Sequence, residues 1–248
     1  MATTLRVRGS LSSIEARSHS TSMPHFIYII LFYAHVLTYM VVIILTFSWI
    51  DDIETRAVNG SVPACPSCRV HSGIKLCNDN TIDQVLLGVK DMSIQYPTYQ
   101  LVVTGHSLGA ATATLAAVSL KLAGFDPVLY ALGSPRVGNA AFSAYVAGLF
   151  PEARTPQRLT HCRDVIPHVP YTDMGYTHID QEVYEECSAS KDTGADAAVV
   201  VDGCEPGGED RTCSQQWPIY ETTVASHLFY LGRVMACDTL DEAELACE

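Results

Sequence analysis

The chain has 248 residues, which is enough for one α/β domain with appended segments. It carries 15 lysines and arginines against 27 aspartates and glutamates, a formal net charge of −12. The acidic balance argues against a nucleic-acid-binding role, which needs a basic surface for the phosphates.

An uncharged apolar stretch follows a basic N-terminal segment. Residues 1–25 contain three arginines, and residues 26–50 contain no lysine, arginine, aspartate or glutamate. As a helix this stretch would rise about 37 Å, long enough to cross a bilayer. Because the three arginines precede this stretch, whereas the acidic Asp51 and Asp52 follow it, the positive-inside rule places the N-terminus in the cytoplasm. The sequence predicts a transmembrane helix over 26–50. A globular domain over 51–248 would then lie outside the cell or in the secretory-pathway lumen.

Nine cysteines fit an oxidising location. Cys65 and Cys68 form a C-x-x-C pair, but no second pair at zinc spacing follows, so a local disulfide is favoured over a metal or redox motif. Cys204 and Cys213 flank an acidic, glycine-rich loop and predict a second local disulfide. The odd total requires at least one thiol that is unpaired or bonded to another chain. The pairing stays open for Cys77, Cys162, Cys187, Cys237 and Cys247.

The globular part begins with an irregular segment over 51–75. A helix is predicted from near Asn80, because apolar residues recur on one face until Tyr96 and Pro97 end the pattern. Residues 185–215 are acidic and small, and we expect a solvated loop there rather than a site.

The pentapeptide from Gly105 to Gly109 reads G-H-S-L-G. It lies between a predicted buried strand over 100–104 and a predicted helix of small residues over 110–117. A G-x-S-x-G sequence at a strand-to-helix junction is typical of a nucleophile elbow, a tight turn whose flanking positions must be small. The amides at the start of the helix face the position where an acyl-transfer oxyanion forms. Ser107 is therefore the candidate nucleophile.

Strands and helices alternate after the elbow. A strand over 128–132, a helix over 140–149 and a strand over 158–161 follow in order. This alternation predicts a mainly parallel sheet covered by helices on both faces, and the nucleophile elbow within it indicates an α/β-hydrolase-type fold.

A serine nucleophile needs a base, and the base needs a carboxylate that fixes its tautomer. In hydrolases with this elbow the chain order is serine, acid, histidine. Asp164 is the favoured acid, because it stands just beyond the carboxyl end of a strand. Asp126 lies in a helix–strand turn and Asp173 beyond a proline break, so both compete less well.

Two histidines follow Asp164 at positions suited to the base. His227 stands before an apolar segment predicted to be a C-terminal helix, and it is favoured. His178 lies in an acidic run and is expected to be solvated. His106 and His168 are expected to pack beside the site without taking part in proton transfer.

Several motifs occur in a fixed order between Val70 and Cys237. They are V-H-S-G from 70, Y-P-T-Y from 96, V-T-G-H-S-L-G-A from 103, G-S-P-R-V-G-N from 133, R-D-V-I-P-H-V-P from 163 and S-H-L-F-Y from 226. This series resembles the filamentous-fungal class 3 lipase family, which also includes feruloyl esterases.

The resemblance implies a catalytic triad of Ser107, Asp164 and His227, and a backbone oxyanion donor at Leu108. It also implies the disulfides Cys65–Cys68 and Cys204–Cys213. No metal or organic cofactor is required by this chemistry.

The sequence departs from the family near its N-terminus. Few residues precede Arg8-Gly9-Ser10, where the family has a strand end whose serine or threonine supplies the second oxyanion donor. Ser10 is the candidate for that donor, and the resemblance predicts a truncated N-terminal subdomain.

The family's lid pattern is also interrupted. It begins after Ser10 and finishes at Trp49, Ile50 and Ile53, the candidate lid residues. Residues 16–48 lie between the two parts, either as an inserted sequence such as a translated intron or as a genuine signal anchor.

Together these features predict a serine carboxylic-ester hydrolase, a lipase that cleaves acylglycerols through an acyl-enzyme. The expected partners are a lipid or other acyl ester and a lipid–water interface or membrane, with no obligate protein partner. The alternatives are a feruloyl or carbohydrate esterase of the same family, and a catalytically impaired membrane-anchored relative.

Overall fold

A computed structural model describes residues 3–5, 13–17, 26–31, 57–59, 62, 64–150, 156–179, 181–187, 200–202, 204 and 207–235. The strands in this part of the chain are β1 (Thr3–Leu5), β2 (Ser13–Arg17), β3 (Phe26–Leu31), β4 (Ala57–Asn59), β5 (Arg69–His71), β6 (Gln100–His106), β7 (Val128–Leu132), β8 (Gln157–His161), β9 (Glu182–Glu185), β10 (Val200–Asp202), β11 (Phe229–Tyr230) and β12 (Arg233–Val234). The α-helices are α1 (Ser72–Gln95), α2 (Leu108–Leu122), α3 (Ala140–Leu149) and α4 (Val224–His227).

Eight strands form one sheet in the order β1-β2-β3-β6-β7-β8-β9-β10. The pairings from β3 to β9 are parallel, whereas β1, β2 and β10 join by antiparallel pairing. The predicted α/β-hydrolase architecture with a mainly parallel sheet is confirmed. The carboxyl ends of β6, β7 and β8 meet at one edge of this sheet, where open α/β folds place their sites.

The helix after the elbow strand packs closely on the sheet because its side chains are small. Ala110, Ala111, Ala113 and Ala117 of α2 are fully buried, as is Val103 of β6. Small residues let the helix backbone approach the strand, and that close contact fixes the position of the first turn of α2 beside the elbow.

The first helix of the globular part begins eight residues earlier than the predicted start near Asn80. Nδ1 of His71 accepts hydrogen bonds from the backbone N–H groups of Gly73 (3.1 Å) and Ile74 (3.4 Å). This side chain satisfies amides that have no partner inside the helix, and α1 therefore starts at Ser72. The predicted irregular segment also contains β4 and β5.

The prediction of a helix starting at residue 26 is wrong. Phe26–Leu31 is β3, which pairs in parallel with β6 so that Leu31 lies opposite Gly105. An uninterrupted apolar run suits a central strand of a parallel sheet as well as a buried helix. Residues 32–50 lie outside the described residues. Within the described ones, no helix is both long and apolar enough to span a membrane.

The predicted apolar C-terminal helix after His227 is also wrong within the described residues. The chain forms only the short α4, and β11 and β12 follow as a hairpin. Its two turn residues, Leu231 and Gly232, have φ angles of 52° and 69°. A positive φ at both residues is the conformation that a type I′ hairpin turn requires.

Candidate active site

Ser107 lies at the sharp turn between β6 and α2. Its φ of 59° is in the left-handed region that residues other than glycine rarely adopt. The Ser107 backbone N–H donates to the Leu132 carbonyl of β7 at 2.9 Å, which holds the turn against the neighbouring strand. A Cβ on Gly105 would lie 2.4 Å from the Gly109 carbonyl oxygen, so this turn tolerates only glycine there. The geometry is that of a nucleophile elbow.

Asp164 and His227 form a buried pair, although 63 residues separate them. Asp164 Oδ2 lies 2.8 Å from Nδ1 of His227, and the two side chains are 1% and 0% exposed. The other carboxylate oxygen accepts the Ile166 backbone N–H at 2.8 Å. A parallel β-bridge between Asp164 and Thr223 brings the two chain segments side by side. Because Nδ1 faces the carboxylate, Nε2 is the nitrogen left for proton transfer.

Tyr230 is a third partner of this pair, and the sequence reasoning missed it. Its hydroxyl donates to Asp164 Oδ2 at 2.5 Å, and the side chain is fully buried. Burial, followed by the negative charge of Asp164, raises the pKa of Tyr230 well above its usual value, so the phenol stays a donor. The sequence feature that could have indicated this contact is an aromatic residue three positions after His227.

His106 packs directly on the candidate base. Its ring stacks on that of His227 with centroids 4.4 Å apart, and its Nε2 lies 2.9 Å from the His227 carbonyl oxygen. Burial, and then the proximity of His227, lowers the pKa of His106 to about 3. His106 is therefore neutral near pH 7 and adds no positive charge beside the base.

Gly133 provides the space in which these groups meet. A Cβ there would lie 2.8 Å from the Tyr230 hydroxyl, 3.0 Å from Asp164 Oδ2 and 3.1 Å from His227 Cε1. Gly133 directly follows Leu132, whose carbonyl accepts the Ser107 N–H. The elbow, the acid and the base thus converge around one glycine.

The imidazole of His227 has one nitrogen to spare. Its Nε2 is buried and has no hydrogen-bond partner among the residues that the structure describes.

Leu108 is the first residue of α2, and its backbone amide is one of those at the N-terminal end of that helix. Ser10 and the lid candidates Trp49, Ile50 and Ile53 lie outside the described residues.

The competing acids lie elsewhere. Asp126 pairs with Lys121 at 2.5 Å and is 53% exposed, and Asp173 is exposed in a 3₁₀ turn. Neither carboxylate has a described contact with His227.

The expectation that His178 is solvated is wrong, because its side chain is 1% exposed. Its Nε2 lies 2.7 Å from the Pro167 carbonyl oxygen, and burial, followed by the charges of Arg158 and Arg136, lowers its pKa well below the usual value. Glu209 accepts the His178 backbone N–H, which places part of the acidic 185–215 region over this histidine.

His168 also lies beside the acid. Its Nδ1 is 3.0 Å from the Asp164 carbonyl oxygen, and burial lowers its pKa.

Three disulfides lie in the described part of the chain. Cys65–Cys68 and Cys204–Cys213 are the two pairs that the resemblance implied. The third joins Cys162 to Cys187, two of the cysteines whose pairing the sequence left open. Cys162 lies two residues before Asp164 in the sequence.

Comparisons with known proteins give the same family as the motifs. Residues 45–174 match the family model described as lipase (class 3). The chain is 34% identical over 157 residues to secreted mono- and diacylglycerol lipase A of Penicillium cyclopium, an alignment that covers 63% of this chain and 50% of the relative. It is 34% identical over 191 residues to a lipase of Rhizomucor miehei, with 75% and 48% covered. The chain thus spans about half the length of the curated relatives it matches.

Solved structures also resemble the fold. One is described as a triacylglycerol lipase whose catalytic centre is a serine protease triad. It is 27% identical, with a TM-score of 0.67, and the match covers 89% of this chain and 76% of that chain.

Proposed function

The chain belongs to the class 3 lipase family, and on that premise we propose that it is a serine carboxylic-ester hydrolase, a lipase that acts on acylglycerols. The observation that carries the proposal is the buried Asp164–His227 pair beside the Ser107 elbow, with Nε2 of His227 left without a described partner. A triad needs one free imidazole nitrogen next to a serine hydroxyl, and this arrangement supplies the nitrogen.

In the proposed reaction Nε2 of His227 removes the hydroxyl proton of Ser107 as Oγ bonds to the ester carbonyl carbon. Asp164 stabilises the imidazolium that forms, and Tyr230 and the Ile166 amide hold the carboxylate in place. The imidazolium then passes its proton to the leaving alkoxide as the carbon–oxygen bond breaks. Water, deprotonated by the same nitrogen, attacks the acyl-enzyme and releases the carboxylic acid and free serine.

The tetrahedral intermediate carries a negative oxygen that needs donors. The Leu108 amide at the start of α2 is the proposed first donor, supported by its place directly after the nucleophile. Ser10 stays the predicted second donor. Since losing one oxyanion donor costs about 10²–10³ in turnover, a displaced Ser10 would give a slow enzyme.

The name of a relative supports a substrate class and a location for this chain. The relative from Penicillium cyclopium is named a secreted mono- and diacylglycerol lipase. We therefore propose acylglycerols presented at a lipid–water interface as the substrates, and an extracellular location for the domain. The apolar candidates Trp49, Ile50 and Ile53 are proposed to form part of a lid.

Hydrolysis of emulsified acylglycerols tests this function. Fatty acid release from mono-, di- and trioleoylglycerol is measured for the wild-type chain and for Ser107→Ala, with ethyl ferulate as the competing substrate. We expect oleate release that Ser107→Ala abolishes. Cleavage of ethyl ferulate alone would support the feruloyl esterase alternative. The absence of Ser107-dependent cleavage of any ester in the folded chain would contradict the proposal.

A further inference from the structure

The Cys162–Cys187 disulfide joins the chain just beyond the carboxyl ends of two neighbouring parallel strands. Cys162 directly follows β8, and Cys187 lies two residues after β9. The last residues of these strands, His161 and Glu185, are partners in the sheet register. The disulfide therefore fastens the two strand ends to each other at the edge of the sheet that holds the candidate site.

The acid stands on the turn that begins at this disulfide. The Asp164 backbone N–H donates to the His161 carbonyl at 3.0 Å, which closes a tight turn around Cys162 and Arg163. Cys162 has a φ of 44°, a left-handed conformation that a residue other than glycine keeps only where its surroundings enforce it. The Cys162 N–H donates to the Glu185 carbonyl at 2.8 Å, so β9 is part of those surroundings.

The base is anchored to the same two strand ends. Nδ1 of His161 lies 2.8 Å from the carbonyl oxygen of Ser226, the residue before His227. Oε2 of Glu185 accepts the backbone N–H of Leu231 at 2.9 Å, directly after Tyr230. The segment from Ser226 to Leu231, which carries both His227 and Tyr230, is thus held at one end by β8 and at the other by β9.

We propose that Cys162 and Cys187 are positioning residues, whose disulfide fixes the relative position of the acid, the base and Tyr230. The inference rests on the proposed function and deepens it. If the strand ends separate, the two anchors of the Ser226–Leu231 segment move apart, and the turn that carries Asp164 loses the cross-link beside its left-handed residue. Small displacements of a general base lower turnover steeply, whereas substrate binding depends on other surfaces.

The test replaces the disulfide by Cys162→Ala with Cys187→Ala in the full chain, and the matched control is Cys65→Ala with Cys68→Ala. The control removes a bond of the same chemistry from the segment before β5. Active sites are counted by stoichiometric labelling with a fluorophosphonate, and kcat and KM per labelled site are measured with soluble p-nitrophenyl butyrate.

We expect kcat per site to fall at least tenfold for the Cys162/Cys187 double variant, with KM within twofold of wild type. The control should keep both values within twofold. A kcat per site within twofold of wild type in the double variant would overturn the inference while leaving the proposed function intact. A wild-type chain that neither labels nor hydrolyses the ester would overturn the proposed function, and this inference with it.

A second variant tests the inference if the Cys162/Cys187 double variant does not fold. Cys162 is 4% exposed and Cys187 is exposed, so Cys187→Ala alone removes the bond while the buried sulfur stays. The same fall in kcat per site is expected. Failure of both variants to fold would also overturn the inference, because the bond would then be a requirement of the whole fold.

Discussion

Gly133→Ala is the substitution that probes the convergence of the proposed triad most sharply. The new Cβ would lie 2.8 Å from the Tyr230 hydroxyl and about 3 Å from atoms of Asp164 and His227, where ordinary contacts begin near 3.4 Å. All three neighbours are fully buried, and Tyr230 and His227 are both hydrogen-bonded to Asp164, so they have little room to yield. The Tyr230 hydroxyl must therefore move by about 0.6 Å, and the atoms of Asp164 and His227 by about 0.3–0.4 Å.

The expected cost separates into two parts. Alanine at a φ of 56° adds roughly 1–2 kcal/mol of backbone strain. Since a 1 Å misplacement of reacting groups can cost about 10² in rate, a shift of about 0.3–0.4 Å in Asp164 and His227 should lower kcat roughly fivefold. KM should change little, because the displaced groups are proposed to move the Ser107 proton rather than to bind the substrate.

The chain offers a matched control for the backbone strain. Gly124 also has a left-handed φ, of 90°, but its Cβ would meet nothing within 4 Å. Gly124→Ala should therefore lose comparable stability in urea unfolding and keep wild-type kcat with p-nitrophenyl butyrate. Equal kcat values for the two variants would refute the convergence of the acid and the base around Gly133.

Three further predictions concern the stability of the buried groups. Tyr230→Phe removes a donor from Asp164 and should cost about 1–3 kcal/mol in urea unfolding; an unchanged midpoint would contradict that bond. Glu182→Gln leaves the fully buried Arg158 without its charged partner and should cost about 3–5 kcal/mol, whereas Glu209→Gln at the partly exposed Arg136 pair should cost less. Because the fold lowers the pKa of His106 to about 3, this imidazole takes up a proton near pH 6.5 only in the unfolded chain. The free energy of unfolding therefore falls as the pH drops below about 6.5. Between pH 7 and pH 5 this loss is about 2 kcal/mol, and His106→Asn should remove it; a variant with the wild-type pH dependence would contradict the lowered pKa.

The elbow could be predicted because its signal is local. The strand, the G-H-S-L-G turn and the small-residue helix are contiguous, and the structure has β6 and α2 at these positions. The contact between Asp164 and His227 is distant in sequence, and chain order together with the motif series indicated it. The parallel sheet likewise followed from the alternation of strands and helices.

Tertiary contacts decide the features that the sequence predicted wrongly or left open. The apolar run Phe26–Leu31 has the composition of both a buried strand and a membrane helix, and only pairing with β6 decides between them. His178 has acidic neighbours in sequence, but Glu209 and Pro167 contact it from elsewhere in the chain. The Cys162–Cys187 bond depends on the register of β8 against β9, which no local pattern reveals.

The central claim, that Ser107 is a nucleophile activated by His227 and Asp164, is tested most directly by mapping a fluorophosphonate adduct on the intact chain by mass spectrometry. We predict one adduct, on the peptide that contains Ser107. Its formation should be at least 10²-fold slower in His227→Ala, in which the general base is gone. Labelling at another serine, or labelling of Ser107 at the wild-type rate in His227→Ala, would contradict the account.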